Sequence, residues 1–159
     1  MKRPKRSWAI WVALAIGIAF AAGADPLSVS ASLGGGVTSV EADRAKMEAS
    51  SQITGKDLYS IHEMHAPNNV VVREFVSPGG QVFGVAWQGP SRPDLSQVLG
   101  PYFAPFTEAA KKLHRTGRGP LIVQQPGLVV EMGGHARSFF GMAYVPQMVP
   151  AGVSTGEIR

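Results

Sequence analysis

Apolar and β-branched residues alternate with polar ones most regularly over residues 70–90, VVVREFVSPGGQVFGVAWQGP. Two β-rich runs, 70–76 and 81–87, flank Ser77-Pro78-Gly79-Gly80. Proline presets one turn position and glycine supplies the positive φ of another, so the stretch predicts a hairpin. Residues 57–65 carry a third β-type run, YSIHEM at its centre, and Pro67-Asn68-Asn69 turns the chain back. The pattern therefore predicts an antiparallel meander over 57–65, 70–76 and 81–87. If Ser77 and Gly80 close the turn, Val76 faces Gln81, Glu74 faces Phe83 and Val72 faces Val85. Side chains alternate between faces, so Val72, Glu74, Val76, Phe83, Val85 and Trp87 share one side. Val71, Arg73, Phe75, Val82, Gly84 and Ala86 share the other, whose small groups suit the close approach of a helix. In the same register His62 opposes Arg73 and Ile61 opposes Glu74.

The helix predicted to sit there follows at once. Leu95, Val98, Leu99, Tyr102, Phe103, Phe106, Ala109, Ala110 and Leu113 recur at three- and four-residue steps, one apolar stripe at the α period. Gly100-Pro101 and Pro105 oppose a continuous helix. A helix over 94–115, kinked between a short piece at 94–99 and a longer one at 103–115, satisfies both signals. Strands are then predicted at 121–125 and 128–132 around Pro126-Gly127, and Gly133-Gly134 allows a hairpin into 136–145. The tail is expected to cross the surface with Met148, Val149 and Val153 tacked down. The fold class is α+β: an antiparallel sheet of about six strands with one kinked amphipathic helix on one face.

Upstream of the meander the pattern weakens. Residues 25–55 are rich in Ala, Ser and Gly, including Gly34-Gly35-Gly36, and such composition buries little. They read as a mobile segment holding at most a weak helix over 40–49, with Ser39 as its cap and Glu41 and Asp43 in its first turn. Leu33 and the glycines can still add a short strand or plug. Residues 56–159 form the single domain.

Charge sharpens the N-terminal reading. The formal net charge is +4, but Lys2, Arg3, Lys5 and Arg6 supply all of that excess. From Asp25 onward there are eleven basic and eleven acidic residues, which argues against a nucleic-acid partner. The basic start precedes an apolar run over 8–22 and then Ala22-Gly23-Ala24, the build of a cleavable signal peptide spanning 1–24. The run is shorter than the roughly twenty residues a spanning helix needs. The expectation is cleavage near Ala24, a periplasmic or secreted product, and no membrane span afterwards. The chain has no cysteine, so disulfides, thiol catalysis and Cys-type zinc sites are excluded.

The blocks VVREFVSPGGQVFGVAWQGPSRPDLSQVLGPYF (71–103) and VQQPGLVVEMGGHARSFFGMAYVPQMVPAGVSTGEIR (123–159) resemble a family of short exported proteobacterial proteins. That family is of the Burkholderia type and is catalogued as a domain of unknown function. The resemblance runs from about Tyr59 to Arg159. It implies an exported α+β domain and carries over no activity, substrate or catalytic residue.

The residues themselves offer few chemical constellations. In His62-Glu63-Met64-His65 the two histidines lie three apart, and on a strand they point to opposite faces, so they cannot grip one ion locally. His114 falls at a helix end and His135 beside the Gly-Gly turn. No serine stands in a Gly-x-Ser-x-Gly elbow, and the glycine runs lack the Lys-Ser/Thr of a phosphate loop. Glu63, Glu74 and Glu131, with Arg73 and Arg137, lie in strand patterns, where cross-strand ion pairs are the plain reading. No catalytic, metal or cofactor residue is assigned. The contact candidates are Trp87, Glu74, Arg73, His62, His135 and Arg137. Two functional readings stand. One is a non-enzymatic exported binding or accessory module that meets an envelope protein or small ligand through an aromatic patch around Trp87. The other is a periplasmic hydrolase or metal-dependent enzyme using His62 or His135 with a glutamate.

Overall fold

A computed structural model describes residues 33–113 and 119–159; the expected signal peptide, the segment 25–32 and His114 lie outside them. The chain forms helix α1 (Val37–Lys46) and strands β1 (Ser50–Gly55), β2 (Ser60–His65), β3 (Val71–Val76) and β4 (Val82–Gly89). Helices α2 (Leu95–Leu99) and α3 (Phe103–Lys112) follow, then strands β5 (Leu121–Gln125), β6 (Leu128–His135) and β7 (Ser138–Tyr144). The seven strands make one antiparallel sheet in the order β1-β2-β3-β4-β7-β6-β5. Two meanders thus meet at β4 and β7, and the helices carry the chain from the centre to the far edge.

The α+β class stands, and the additional strand comes from 25–55. The described part of that segment is built into the fold. β1 pairs along its length with β2, and Leu33, Val40 and Ala49 are buried. The backbone around the glycine run is tied to the hairpin: Gly34 and Val37 N–H donate to Val82 and Gly80 carbonyls at 2.8 and 3.0 Å. Helix α1 begins earlier than its pattern suggests. Gly36 is its N-cap, and the Ser39 hydroxyl donates back to the Gly36 carbonyl instead of capping. Asp43 consequently turns inward and is buried. Left-handed Glu48 (φ 49°) ends the helix.

Both predicted turns are one residue longer than the tightest solution. Ser77 N–H donates to Gln81 carbonyl at 2.9 Å, and Gly80 takes φ 78°. Ala66 N–H likewise donates to Val70 carbonyl at 2.9 Å, with Asn69 at φ 60°. A residue in the left-handed region closing a three-residue loop moves the register by one. His62 therefore opposes Glu74, and Glu63 opposes Arg73. In the other hairpin a β-bulge near Phe75 and Val76 adds a second step, pairing Glu74 with Val85 and Val72 with Trp87. Two steps restore the side-chain parity beyond the bulge. Only Val82 and Phe83 exchange faces: Val82 joins the cluster of Val72, Val85 and Trp87, and Phe83 joins Phe75 and Ala86.

The helices lie on the face opposite to the expected one. Val98, Leu99 and Phe106 pack with Val72, Val85, Trp87 and Val130. The Gly84 and Ala86 side receives the C-terminal tail, where Ile158, Val149 and Val153 meet Tyr59, Phe75 and Phe83. A larger apolar area is available on the Trp87 side, and the broad helical layer covers it; the narrow tail fits the glycine.

The kinked helix forms as its sequence asks. Asp94 accepts from Ser96 N–H at 2.9 Å, capping α2. A single 3₁₀ turn over Gly100–Tyr102 makes the kink. Pro105 falls in the first turn of α3, where its missing N–H has no intrahelical partner to lose. The last hairpin differs. Gly133-Gly134 lie inside β6, which runs on to His135, and Ala136-Arg137 make the turn with Arg137 at φ 64°.

Candidate functional site

The register decides which candidate side chains can meet a ligand. One row of the sheet's helix-covered face reads Ile53, His62, Glu74, Val85, Ala143, Val130, Val123 across the strands. The neighbouring row on the opposite, open face reads Glu63, Arg73, Ala86, Met142, Glu131, Ile122. Glu74 and His62 thus belong to the interior. Glu74 is fully buried, and His62, 9% exposed, lies within hydrogen-bond range of Ser60 Oγ at 3.3 Å. Burial holds the His62 pKa below its ordinary value, against the pull of Glu41.

Trp87 is also interior. It is 2% exposed, and its ring lies so close over Gly141 that an added Cβ would come within 2.1 Å of it. Trp87 is thus not itself an exposed aromatic surface, although it is among the residues that line the cleft described below.

Arg73 lies on the open face. Its Nε donates to Glu63 Oε2 at 2.5 Å, and the other oxygen of Glu63 meets His65 Nε2 at 2.7 Å. Burial works against ionisation of Glu63, but the hydrogen bonds and charges of Arg73 and His65 outweigh it and hold the pKa below the usual carboxylate value.

The open face carries a furrow next to this pair. A cleft of about 350 Å³ is lined by Arg73, Gln88, Glu131, Phe140, Met142 and Arg159, among others. A second, of about 410 Å³, includes Val71, Arg137, Ser138 and Phe139 and shares Gln88 and Phe140 with the first. Phe140, 47% exposed, spreads over Gly133, the residue opposite it on β6. At the far rim the Arg92 guanidinium stands 5.0 Å from the Phe139 ring centre. The furrow joins an apolar floor to guanidinium and amide donors and to one carboxylate, Glu131. Such a surface can hold an amphipathic ligand by its apolar part and orient its polar end.

Arg73 and Arg137 are thus brought to one continuous furrow. His135 is exposed at the tip of the β6–β7 hairpin, its Nδ1 near the Ala136 carbonyl at 3.3 Å. His62 and His135 do not converge: β2 and β6 stand four strand positions apart, roughly 19 Å at a strand spacing of about 4.8 Å. Among the described residues no group of three or more His, Asp or Glu side chains is placed to hold a metal ion. Phe140, Met142 and Arg159 escape a sequence reading, since only the true register shows that β7 follows β4. Asp43, the neighbour of Glu74, gives no sequence signal at all.

The fold and the furrow define a small α+β domain whose second sheet face is covered in part by the C-terminal tail and carries the furrow beside it. Its family is shown by sequence: residues 29–158 match the family described as protein of unknown function (DUF2844), and the chain belongs to it. No curated protein and no solved structure matches the chain. Among the described residues no helix is long and apolar enough to cross a membrane.

Proposed function

We propose that this domain is an exported, non-enzymatic binding or accessory module of the cell envelope, and that its ligand or protein partner seats in the furrow on the open sheet face. The furrow is the observation that carries the reading. It offers an apolar floor of Phe140 and Met142 between the polar ends of Arg73, Glu131 and Arg137. Export is supported by the tripartite pattern of residues 1–24. The enzymatic alternative has less support, because His62 is buried and His135 is exposed at a hairpin tip four strand positions away, paired with Ser138.

The test combines location with binding. Protein expressed in its own host is fractionated, and the mature N-terminus is determined by mass; cleavage near Ala24 and recovery from the envelope fraction are expected. The tagged mature protein is then used to capture partners beside the Phe140→Ser and Arg73→Ala variants. A partner or ligand retained by the parent and lost by both variants is the expected result. Retention by both variants, or catalytic turnover on a substrate panel without any partner, overturns the reading.

A further inference from the structure

Asp43 and Glu74 are both fully buried, one on the inner side of α1 and the other in the middle of β3. Asp43 Oδ1 accepts a hydrogen bond from the Gln97 amide of α2. The other three carboxyl oxygens of the pair have no N–H or O–H donor from any other group. Each carboxyl perturbs the other's titration, and with no donor for these three buried oxygens the two acceptors can satisfy one another only when one carries a proton. The chain on either side of α1 is anchored, by the Val37 N–H bond to the Gly80 carbonyl before it and by buried Ala49 after it, but the helix itself offers few other contacts. Its N-terminus has no side-chain cap, and its buried residues besides Asp43 are Ser39 and Val40.

We propose that one proton shared between Asp43 and Glu74 is the clasp that docks α1 on the sheet, and that loss of this proton releases α1 while the rest of the sheet stays folded. With both groups ionised, two like charges would face each other out of water, which neither Gln97 nor the surrounding valines can offset.

The neighbouring charges agree with this direction. Burial foremost, then the hydrogen bond and charge of Asp43, pushes Glu74 up to about 9; burial also raises Asp43, against the opposing effects of Gln97, Glu74 and Lys46. On α1, Glu41 acts on His62 and Lys46 on Asp43. From β2, His62 is held neutral by burial, so its protonation opposes folding only toward acid. At the start of α2, Asp94 is kept ionised, first by its hydrogen bond with Ser96. From β4, Val85 faces Glu74 and brings no charge. A carboxyl whose folded value lies above its unfolded one stabilises most below the unfolded value, and that stability drains away as pH rises toward about 9. Each pH unit in this window moves the docked equilibrium by about tenfold.

Limited trypsin digestion tests the clasp, because Arg44 and Lys46 lie on α1. Cleavage after these residues is followed by mass at about pH 7, 8 and 9. It is normalised to an unstructured peptide of the same sequence. Parent protein is expected to be cut there about tenfold faster per pH unit, while Glu74→Gln, which can donate to Asp43 without a proton, shows no such rise. A flat parent profile, an equal rise in Glu74→Gln, or simultaneous cutting after Arg73 in the central strand overturns the proposal. Should Glu74→Gln fail to fold, Asp43→Asn serves: loss of the rise supports the clasp, and an unchanged rise overturns it.

Discussion

Ile158 occupies the space that a side chain at Gly84 would need. A Cβ built at Gly84 would stand 3.1 Å from Ile158 Cδ1 and 3.2 Å from its Cγ2. The tail thus reaches the centre of the sheet through a glycine, and Ile158 is fully buried there. Ile158→Ala should cost roughly 2–4 kcal/mol, the usual loss for emptying such a site. Gly84→Val should cost about 1–3 kcal/mol by overpacking. If the contact is as described, the double variant loses less than the sum of the two, because neither group then competes for the seat. Urea unfolding midpoints check all three.

The same tail is pinned by a second bond, from the Tyr59 hydroxyl to Glu157 Oε2 at 2.6 Å. Accepting this proton, and adding its own charge after the effect of burial, Glu157 pushes Tyr59 up to about 12. The folded value lies above the ordinary one of 10.0. The bond therefore stabilises fully below about pH 10, and its contribution is lost as pH rises through about 12. An ultraviolet titration of phenolate should show one of the three tyrosines ionising later than the rest. In Glu157→Gln that late component should move back toward the ordinary value. A Glu157→Gln titration identical to the parent's would remove the bond from the account.

Much of this scaffold was legible in the residues because the signals were local. The apolar stripe of Leu95, Val98, Leu99 and Phe106 needed no distant partner. The same holds for the turns at Pro78-Gly79-Gly80 and Pro67-Asn68-Asn69, but not for their length. Whether Asn69 and Gly80 adopt the left-handed region is a choice of one residue, and such a choice moves the strand register by one; a bulge offsets the shift after Gly80 but nothing offsets it after Asn69. That is why His62 opposes Glu74 and not Arg73. The furrow was less legible still, since Phe140 and Met142 acquire their neighbours only when β7 pairs with β4, a contact across more than fifty residues. Asp43 sits in a helix too short of apolar residues to be read as docked, and its observed partner, Gln97, lies more than fifty residues away.

The open-face pair of Arg73 and Glu63 should matter more for pH response than for stability at neutrality. Both side chains are partly exposed, at 25% and 28%, and such pairs contribute at most about 1 kcal/mol. Because the Glu63 value is lowered in the fold, its contribution is present above the unfolded carboxylate value and is lost as pH falls through the folded one. Arg73→Ala should therefore lower the urea midpoint modestly at about pH 7 and by less at about pH 3. Equal losses at the two pH values would show that Arg73 acts through packing of its stem instead of its charge.

Gly141 and Trp87 face each other on β7 and β4, and their fit is the tightest demand the core makes on the sequence. A Cβ at Gly141 would come within 2.1 Å of Trp87 Cζ2 and 2.4 Å of Cε2. Neither backbone strand can retreat, because β4 and β7 lie in the middle of the sheet with partners on both sides. The ring itself is held under the helical layer among Met64, Val72 and Met132. Gly141→Ala should accordingly exceed the ordinary overpacking cost of about 1–3 kcal/mol and leave little folded protein. Trp87→Leu alone should also destabilise, by roughly 3 kcal/mol for the cavity it opens, with some relief from removing an indole N–H that has no partner. Combined with Trp87→Leu, Gly141→Ala should become nearly harmless, since the alanine then fills part of the vacated space. Circular dichroism melts of the two single variants and the double variant measure this coupling. A double variant as unstable as the sum of its parts would mean that the glycine is required for the backbone and not for the ring.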